Sequence, residues 1–309
     1  MDDKQITDWL LGGDVSIQYQ VYRDLLGKNR NDLREQIEYS GWGKKFLSRR
    51  KADGHWGRGF YQPKWTSTHY TLLDLKNLNI SPVCQPIRQT IEMILANEKG
   101  EDGGINPSGT ISVSDVCING MALNYMCYFQ ADKKQLESIA DFLLSQQMPD
   151  GGFNCYSNRK GAVHSSLHST LSVLEGILEY KNNGYTYRLK ELLAAEATSR
   201  EFILQHRLFM SDKTGELIDK KMLSFPYPSR WRYDVLRALD YFRAAGVKYD
   251  TRMRDAIDEI LKKRDKERVW RLNAHHPGVT HFLMEQAGKA SRWNTLRCLR
   301  VLKHFNVIE

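Results

Sequence analysis

Three stretches of the chain read alike, and a repeat of this length constrains the fold more than any other feature. Asp53-Gly54-His55-Trp56-Gly57 leads to Ser67-Thr68-His69-Tyr70-Thr71-Leu72-Leu73. Asp102-Gly103-Gly104-Ile105-Asn106 leads to Val116-Cys117-Ile118-Asn119-Gly120-Met121, and Asp150-Gly151-Gly152-Phe153-Asn154 to Leu167-His168-Ser169-Thr170-Leu171-Ser172. Aligned by chemistry, His69, Cys117 and His168 share one position, in steps of 48 and 51 residues. Each Asp-Gly turn follows a segment of helical period, such as Leu136, Ile139, Ala140, Phe142 and Leu143. A unit is therefore helix, glycine turn, irregular loop, helix. Two later units share Ser229-Arg230-Trp231 and Ser291-Arg292-Trp293 ahead of apolar helical runs, and Lys64-Trp65 opens the first unit similarly.

A further hairpin stands at the start, where Gly12-Gly13-Asp14 separates two runs of helical period. Six helix pairs result, over about residues 3–27, 30–79, 83–131, 133–182, 185–246 and 249–306. No strand alternation or βαβ pattern competes with them. A lone hairpin cannot bury its apolar face, so neighbours must stack. The expectation is an all-α fold, a closed α/α toroid of about six helical hairpins in one domain over 1–309, with 1–28 as an N-terminal hairpin and 29–309 as the ring. An open solenoid is the alternative.

Composition is that of an ordinary globular chain, 41% hydrophobic and 27% charged. No run reaches the eighteen or so apolar residues of a membrane span, and the start lacks a secretory apolar region, so a cytoplasmic protein is expected. The five cysteines, Cys84, Cys117, Cys127, Cys155 and Cys298, form no CxxC pair and read as free thiols. The net charge of +8 sits wholly in residues 229–309, with 18 Lys and Arg against 10 Asp and Glu. No nucleic-acid motif accompanies it, so nucleic acid is not an expected partner; a solvated basic face or an anionic small ligand accounts for it.

The segment Gln147-Met148-Pro149-Asp150-Gly151-Gly152-Phe153 resembles the repeat of squalene and oxidosqualene cyclases and of protein prenyltransferase β subunits. The resemblance spans roughly residues 42–305. Lys64-Trp65-Thr66-Ser67-Thr68 and Ser291-Arg292-Trp293-Asn294-Thr295 are also similar to stretches of bacterial prenyltransferase-like and squalene-cyclase-like proteins. It implies inner helices whose first turns, carrying His69, Asp115, Cys117, His164 and His168, face a central cavity. It further implies a catalytic zinc held by Asp115, Cys117 and His168, with His69 and His164 in reserve. The Asp-x-Asp-Asp of alkene-protonating cyclases is absent at Asp115-Val116-Cys117-Ile118.

Chemistry gives the same residues independent interest. Thiolate, imidazole and carboxylate are zinc ligands, and three of them leave a fourth position open. At the first turn of a helix capped by Ser114, Asp115 and Cys117 can reach one cavity, and the helix N-terminus favours their anionic forms. His164 and His168, four apart, would face one way. The expected catalytic residues are Asp115, Cys117 and His164; the alternatives are a metal-free Cys117 nucleophile and a buried cluster of mutually satisfied polar groups. The other cysteines read as packing thiols. His275, His276, His281 and Glu285 offer a second metal site or ordinary loop contacts.

Substrate contacts are expected from His69, Trp65, Arg230, Trp231, Tyr233, Arg292 and Trp293, the tryptophans lining an apolar cavity or packing the core. Lys64, Arg230 and Arg292 begin inner helices, where a cation opposes the macrodipole unless an anion is held. The expected function is a prenyltransferase-like or terpenoid-cyclase-like enzyme, a zinc-dependent transferase or lyase acting on a small isoprenoid or other anionic and apolar ligand. The alternatives are a non-catalytic toroid that binds a lipid or peptide, and a glycan-processing barrel using Asp74 and Asp234.

Overall fold

The computed structural model describes residues 1–108, 111–156 and 160–308. Among these residues the fold is all-α, with isolated bridges such as Lys99 to Ile105 in place of strands. In chain order the helices are α1 (Asp3–Leu11), α2 (Val15–Asp24), α3 (Asn31–Gln36), α4 (Gly41–Leu47), α5 (Thr68–Asn77), α6 (Gln85–Asn97) and α7 (Val116–Tyr128). There follow α8 (Lys133–Ser145), α9 (Leu167–Asn182), α10 (Leu189–Gln205), α11 (Val235–Ala244), α12 (Arg254–Lys262) and α13 (Arg292–His304). Each expected hairpin span holds two helices except the second, which holds three, the short α3 and α4 ahead of α5. The chain gathers into two compact units, one of residues 1–48, 77–81 and 204–309, the other of 49–76 and 82–203.

The second unit separates inner helices from outer ones by their sequence pattern. Helices α6 and α8 are amphipathic, burying Ile87, Ile91 and Ile94 on one and Leu136, Ile139 and Leu143 on the other. Helix α7 is apolar on all sides and is buried from Ile118 through Cys127. Its main partner is α9, and the two meet backbone to backbone at Gly120 and Gly176. A Cβ on Gly176 would stand 2.5 Å from the Gly120 carbonyl oxygen, and one on Gly120 would stand 2.7 Å from Ser172 and Val173 backbone atoms.

The Asp-Gly turn is the device that joins outer helix to inner helix. Gly103 and Gly151, at φ 83° and 89°, take the left-handed conformation that favours glycine. The following Gly104 and Gly152 lie so close to Ser114 and Ser165 that a Cβ would fall 2.8 Å and 2.6 Å from theirs. That closeness serves the turn's aspartate. Asp102 accepts from the Ser114 N–H and hydroxyl, both at 2.7 Å, and Asp150 accepts from the Ser165 N–H at 2.8 Å and from its hydroxyl.

One more hydrogen bond recurs and fixes the register of the repeats. The N–H of Trp56 donates to Thr68 Oγ1 at 3.0 Å, that of Ile105 to Asn119 Oδ1 at 2.6 Å and that of Phe153 to Thr170 Oγ1 at 2.9 Å. In the first unit Trp270 donates likewise to Thr295 Oγ1 at 3.1 Å. Each N–H belongs to a residue whose side chain plugs the core. Thr68, Asn119 and Thr170 are therefore the equivalent positions, evenly 51 residues apart. This corrects the alignment by chemistry: Cys117 and His168 do correspond, but their counterpart is Thr66, and His69 corresponds to Gly120 and Leu171.

In the first unit α2 packs on α1, α3, α4 and α13, so the first and last hairpins of the chain are neighbours, the contact a closed ring of hairpins calls for. Arg300 of α13 reaches Asp24 of α2 at 2.8 Å, Gln20 at 3.0 Å and Asp240 of α11. Burial would raise the Asp240 carboxyl, but Arg300, Arg243 and Arg297 outweigh it and hold it far below the usual carboxylate range. The Asp24 carboxyl is likewise lowered against its burial, by Arg23 and Arg300.

Candidate functional site

Two clusters of chemistry-bearing side chains stand out, one in each unit. In the second unit, the starts of α5, α7 and α9 bring together His69, Tyr70, Asp115, Cys117 and Ser169, with Tyr61 and Cys155 from the loops and Tyr125 from further along α7. His69 is fully buried, with the rings of Phe60, Tyr61, Tyr70 and Tyr125 edge-on at 4.9–5.6 Å. Its Nδ1 lies 3.2 Å from the Tyr125 hydroxyl, and Nε2 meets no hydrogen-bond partner. Burial pushes its pKa down to about 3, so the ring is neutral at pH 7. Trp65 is buried against Tyr70, ring centroids 4.9 Å apart, and the Lys64 ammonium lies 5.1 Å from the Trp65 ring.

Asp115, rather than Ser114, occupies the N-cap position of α7, and the Ser114 hydroxyl donates to Asp102. The Cys117 N–H, in the first helical turn, points at Cys155 Sγ from 3.1 Å, and the Ser169 hydroxyl lies 3.4 Å from the same sulfur. The Cys117 thiol donates to Cys155 as well, which raises Cys117 and lowers Cys155. Two expectations change here. Cys155 is no packing thiol, and the helix N-terminus supports the thiolate of Cys155 rather than that of Cys117, whose own proton is spent on its neighbour.

The expected zinc ligands are only partly brought together. Asp115 adjoins Cys117, but His168 is a half-buried residue of α9, and His164 lies exposed in the preceding loop. The four-residue spacing of these histidines therefore confers no shared helix face, since α9 begins at Leu167. Among the described residues no three His, Cys, Asp or Glu side chains converge as a metal-holding group. Among the described residues, then, Asp115, Cys117 and His168 do not form a three-ligand zinc centre.

In the first unit, the basic helix starts divide. At α13 the anion is built in: Glu285 accepts from the Arg292 N–H at 2.7 Å, the Trp293 N–H at 3.4 Å and the Ser291 hydroxyl. Burial outweighs these bonds and raises the Glu285 carboxyl. The Arg292 guanidinium turns to the N-terminal hairpin, donating to the Trp9 carbonyl at 2.9 Å and lying 4.7 Å from its ring. Trp293 is buried between Trp42 and Tyr227, stacked on both. Tyr233 is buried with its hydroxyl on the Leu208 carbonyl at 2.6 Å. These three serve packing. His275 touches the Glu285 carbonyl at 3.1 Å and His281 stands edge-on to Phe46, the ordinary loop contacts expected ahead of a second metal site.

The loop before α11 is different in kind. Arg230 is buried and sits at φ 59°, a left-handed conformation that costs a non-glycine residue about 1 kcal/mol and recurs at binding sites. Arg232 lies over the Trp231 ring at 4.7 Å, and its Nε is buried with no hydrogen-bond partner. His276 bonds the Ser229 backbone; burial first, then Arg232, Arg230 and His275, push its pKa down to about 4. Arg232 and Arg230 both disfavour the imidazolium here. Behind them Asp234 caps α11, accepting from the Arg237 N–H at 2.8 Å; burial raises its carboxyl despite Arg297 and Arg237. Sequence reasoning named Arg230 and Trp231 but missed Arg232, whose signal was its place in Arg230-Trp231-Arg232.

No protein-family model and no curated protein matches the chain. Among solved structures, a polysaccharide lyase superposes with a TM-score of 0.48 at 11% identity, covering 94% of this chain and 87% of that one. An overlap this distant assigns no activity. No helix among the described residues is long and apolar enough to cross a membrane.

Proposed function

We propose that the protein takes a small ligand with an oxyanion head and an apolar body, and that it holds the head in the loop before α11. The observation that carries this reading is the Arg232 guanidinium, laid over the Trp231 ring at 4.7 Å with its buried Nε unpartnered. An oxyanion there would accept from the unpartnered Arg232 Nε and leave Trp231 as a flat apolar face beside the head. His276, neutral at pH 7, would stand as an acceptor or a weak donor beside the bound group. A prenyl diphosphate fits this description, and the resemblance to prenyltransferase-like proteins makes it the first ligand to try. Transfer of its prenyl group is the reaction the resemblance implies.

Pyrophosphate and a prenyl diphosphate are each expected to raise the melting temperature, since a ligand held only by the folded state adds about 2.7 kcal/mol at a hundred times its Kd. Arg232→Gln should remove the rise, whereas Arg292→Gln should keep it, because Arg292 is engaged with Trp9. The His276 pKa, followed by NMR, should climb from about 4 on ligand binding, as a nearby anion favours the imidazolium. A wild-type protein that shows neither shift at millimolar ligand sinks the reading. Prenyl diphosphate recovered intact after long incubation with candidate acceptors would mark a binding protein instead of a transferase. Elemental analysis covers the metal question: about one zinc per chain, lost in Cys117→Ala and His168→Ala, would restore the zinc centre.

A further inference from the structure

The thiol pair of the second unit has chemistry that the anion site does not use. Cys155 lies on the loop after the third Asp-Gly turn, and Cys117 is the second residue of α7, 38 positions away. The first N–H groups of a helix have no partner within it, and here one of them, that of Cys117, is given to a sulfur. Ser169, on α9, supports the same sulfur from a second side; its Oγ also accepts the Cys155 N–H at 3.3 Å, which holds the loop in place. Both cysteines are half-buried, whereas Cys84, Cys127 and Cys298 are buried. Thiol reactivity follows thiolate character and access together, and Cys155 combines two donors on its sulfur with partial exposure.

We propose that Cys155 is a reactive thiolate and that Cys117 is its resolving partner, so that a hydroperoxide converts the pair into a disulfide tying the loop to the start of α7. The Cys155 sulfur attacks the O–O bond of the peroxide, an S–O bond forms, and the leaving oxygen departs as hydroxide or alkoxide and takes up a proton. Cys117 sulfur then attacks the sulfenic sulfur, forming the S–S bond, and water leaves with the proton that Cys117 gives up. Two electrons pass from the two thiols to the peroxide. A dithiol reductant reverses the change.

The same contacts organise both steps. The helix N–H and the serine hydroxyl stabilise negative sulfur in the resting pair. Cys117, already hydrogen-bonded to Cys155, needs no search to reach it once oxidised. Tyr61 borders the pair on the aromatic side, feeling the charge of both sulfurs and of Asp115.

The test uses the native full chain and hydrogen peroxide. Peptide mapping without reduction should find a Cys117–Cys155 linkage, and Cys84, Cys127 and Cys298 should stay reduced. In Cys117→Ser, dimedone should trap a sulfenic acid on Cys155; in Cys155→Ser, the remaining thiols should resist peroxide. Brief alkylation of the unmutated native protein by iodoacetamide should label Cys155 about tenfold or more faster than the three buried thiols, which needs no variant to fold. The proposal is overturned if Cys155 is labelled no faster than those three, or if peroxide links other cysteines, or leaves Cys117 and Cys155 reduced.

Discussion

Gly120→Val should be among the most damaging single changes to this protein, lowering stability by about 3 kcal/mol and the melting temperature by about 5 °C. The reason is that the added atoms meet backbone, which cannot swing aside as a side chain does. A Cβ alone would stand 2.7 Å from three backbone atoms of α9, and two further methyl groups must find room at the same crossing. Gly176→Val presses on the same crossing from the other helix and should cost a similar amount. Because the two sites share one contact, the double variant should lose less than the sum. Gly59 supplies the control: nothing lies within 4 Å of its Cβ position, and Gly59→Ala should stay within about 0.5 kcal/mol of the parent. Thermal unfolding followed by far-ultraviolet circular dichroism measures all four, and a Gly120→Val protein as stable as the Gly59→Ala protein would contradict the close crossing.

Arg300→Met should cost about 3 kcal/mol at neutral pH, because removing one partner of a buried ion group leaves the others short of compensation. Arg300 bridges Asp24 and Asp240, and all three side chains are mostly buried. The loss is held to that size because Asp24 keeps Arg23, and Asp240 keeps Arg243 at 2.8 Å and Arg297 at 3.7 Å. The pH dependence gives a second reading of the same group. Both carboxyls titrate lower in the folded protein than their ordinary value of 3.8, so below that value the unfolded chain binds more protons than the folded one. Their contribution is therefore complete above the ordinary carboxylate range and is lost as pH falls through the folded values. Denaturant titrations from neutral pH downward should show the acid loss of stability become shallower in Arg300→Met. Parallel curves for parent and variant would mean that the arginine does not set these carboxyls.

The helices were legible because inner and outer ones differ in pattern: one amphipathic face on α6 and α8, apolar residues all round on α7. The glycine turns were legible because Asp-Gly-Gly serves one geometry twice. What the sequence hid was long-range. His69, Cys117 and His168 aligned by type, whereas the true register runs through Thr68, Asn119 and Thr170, which share an acceptor oxygen and little else. Cys155 looked like a packing thiol because nothing near it in sequence supplies its donors; they come from α7 and α9. Arg292 looked like an empty anion site because Glu285, which fills the helix start, stands seven residues upstream across an irregular loop. Trp293 showed its apolar bulk but not whether a ligand or Tyr227 would cover it.

The recurring N–H bond to the inner helix has a consequence for how such a chain can change over evolutionary time. It closes segments of quite different size, with separations of 12, 14, 17 and 25 residues, at the same two ends. Closing a loop twice as long costs only about 0.6 kcal/mol more, so the longest of these segments is scarcely dearer than the shortest. Insertions between the two pinned ends are then nearly neutral to the scaffold, while they place new side chains beside the starts of the inner helices. A hairpin protein built this way can trade one ligand for another by lengthening or rewriting a single loop, with the helices behind it left as they were.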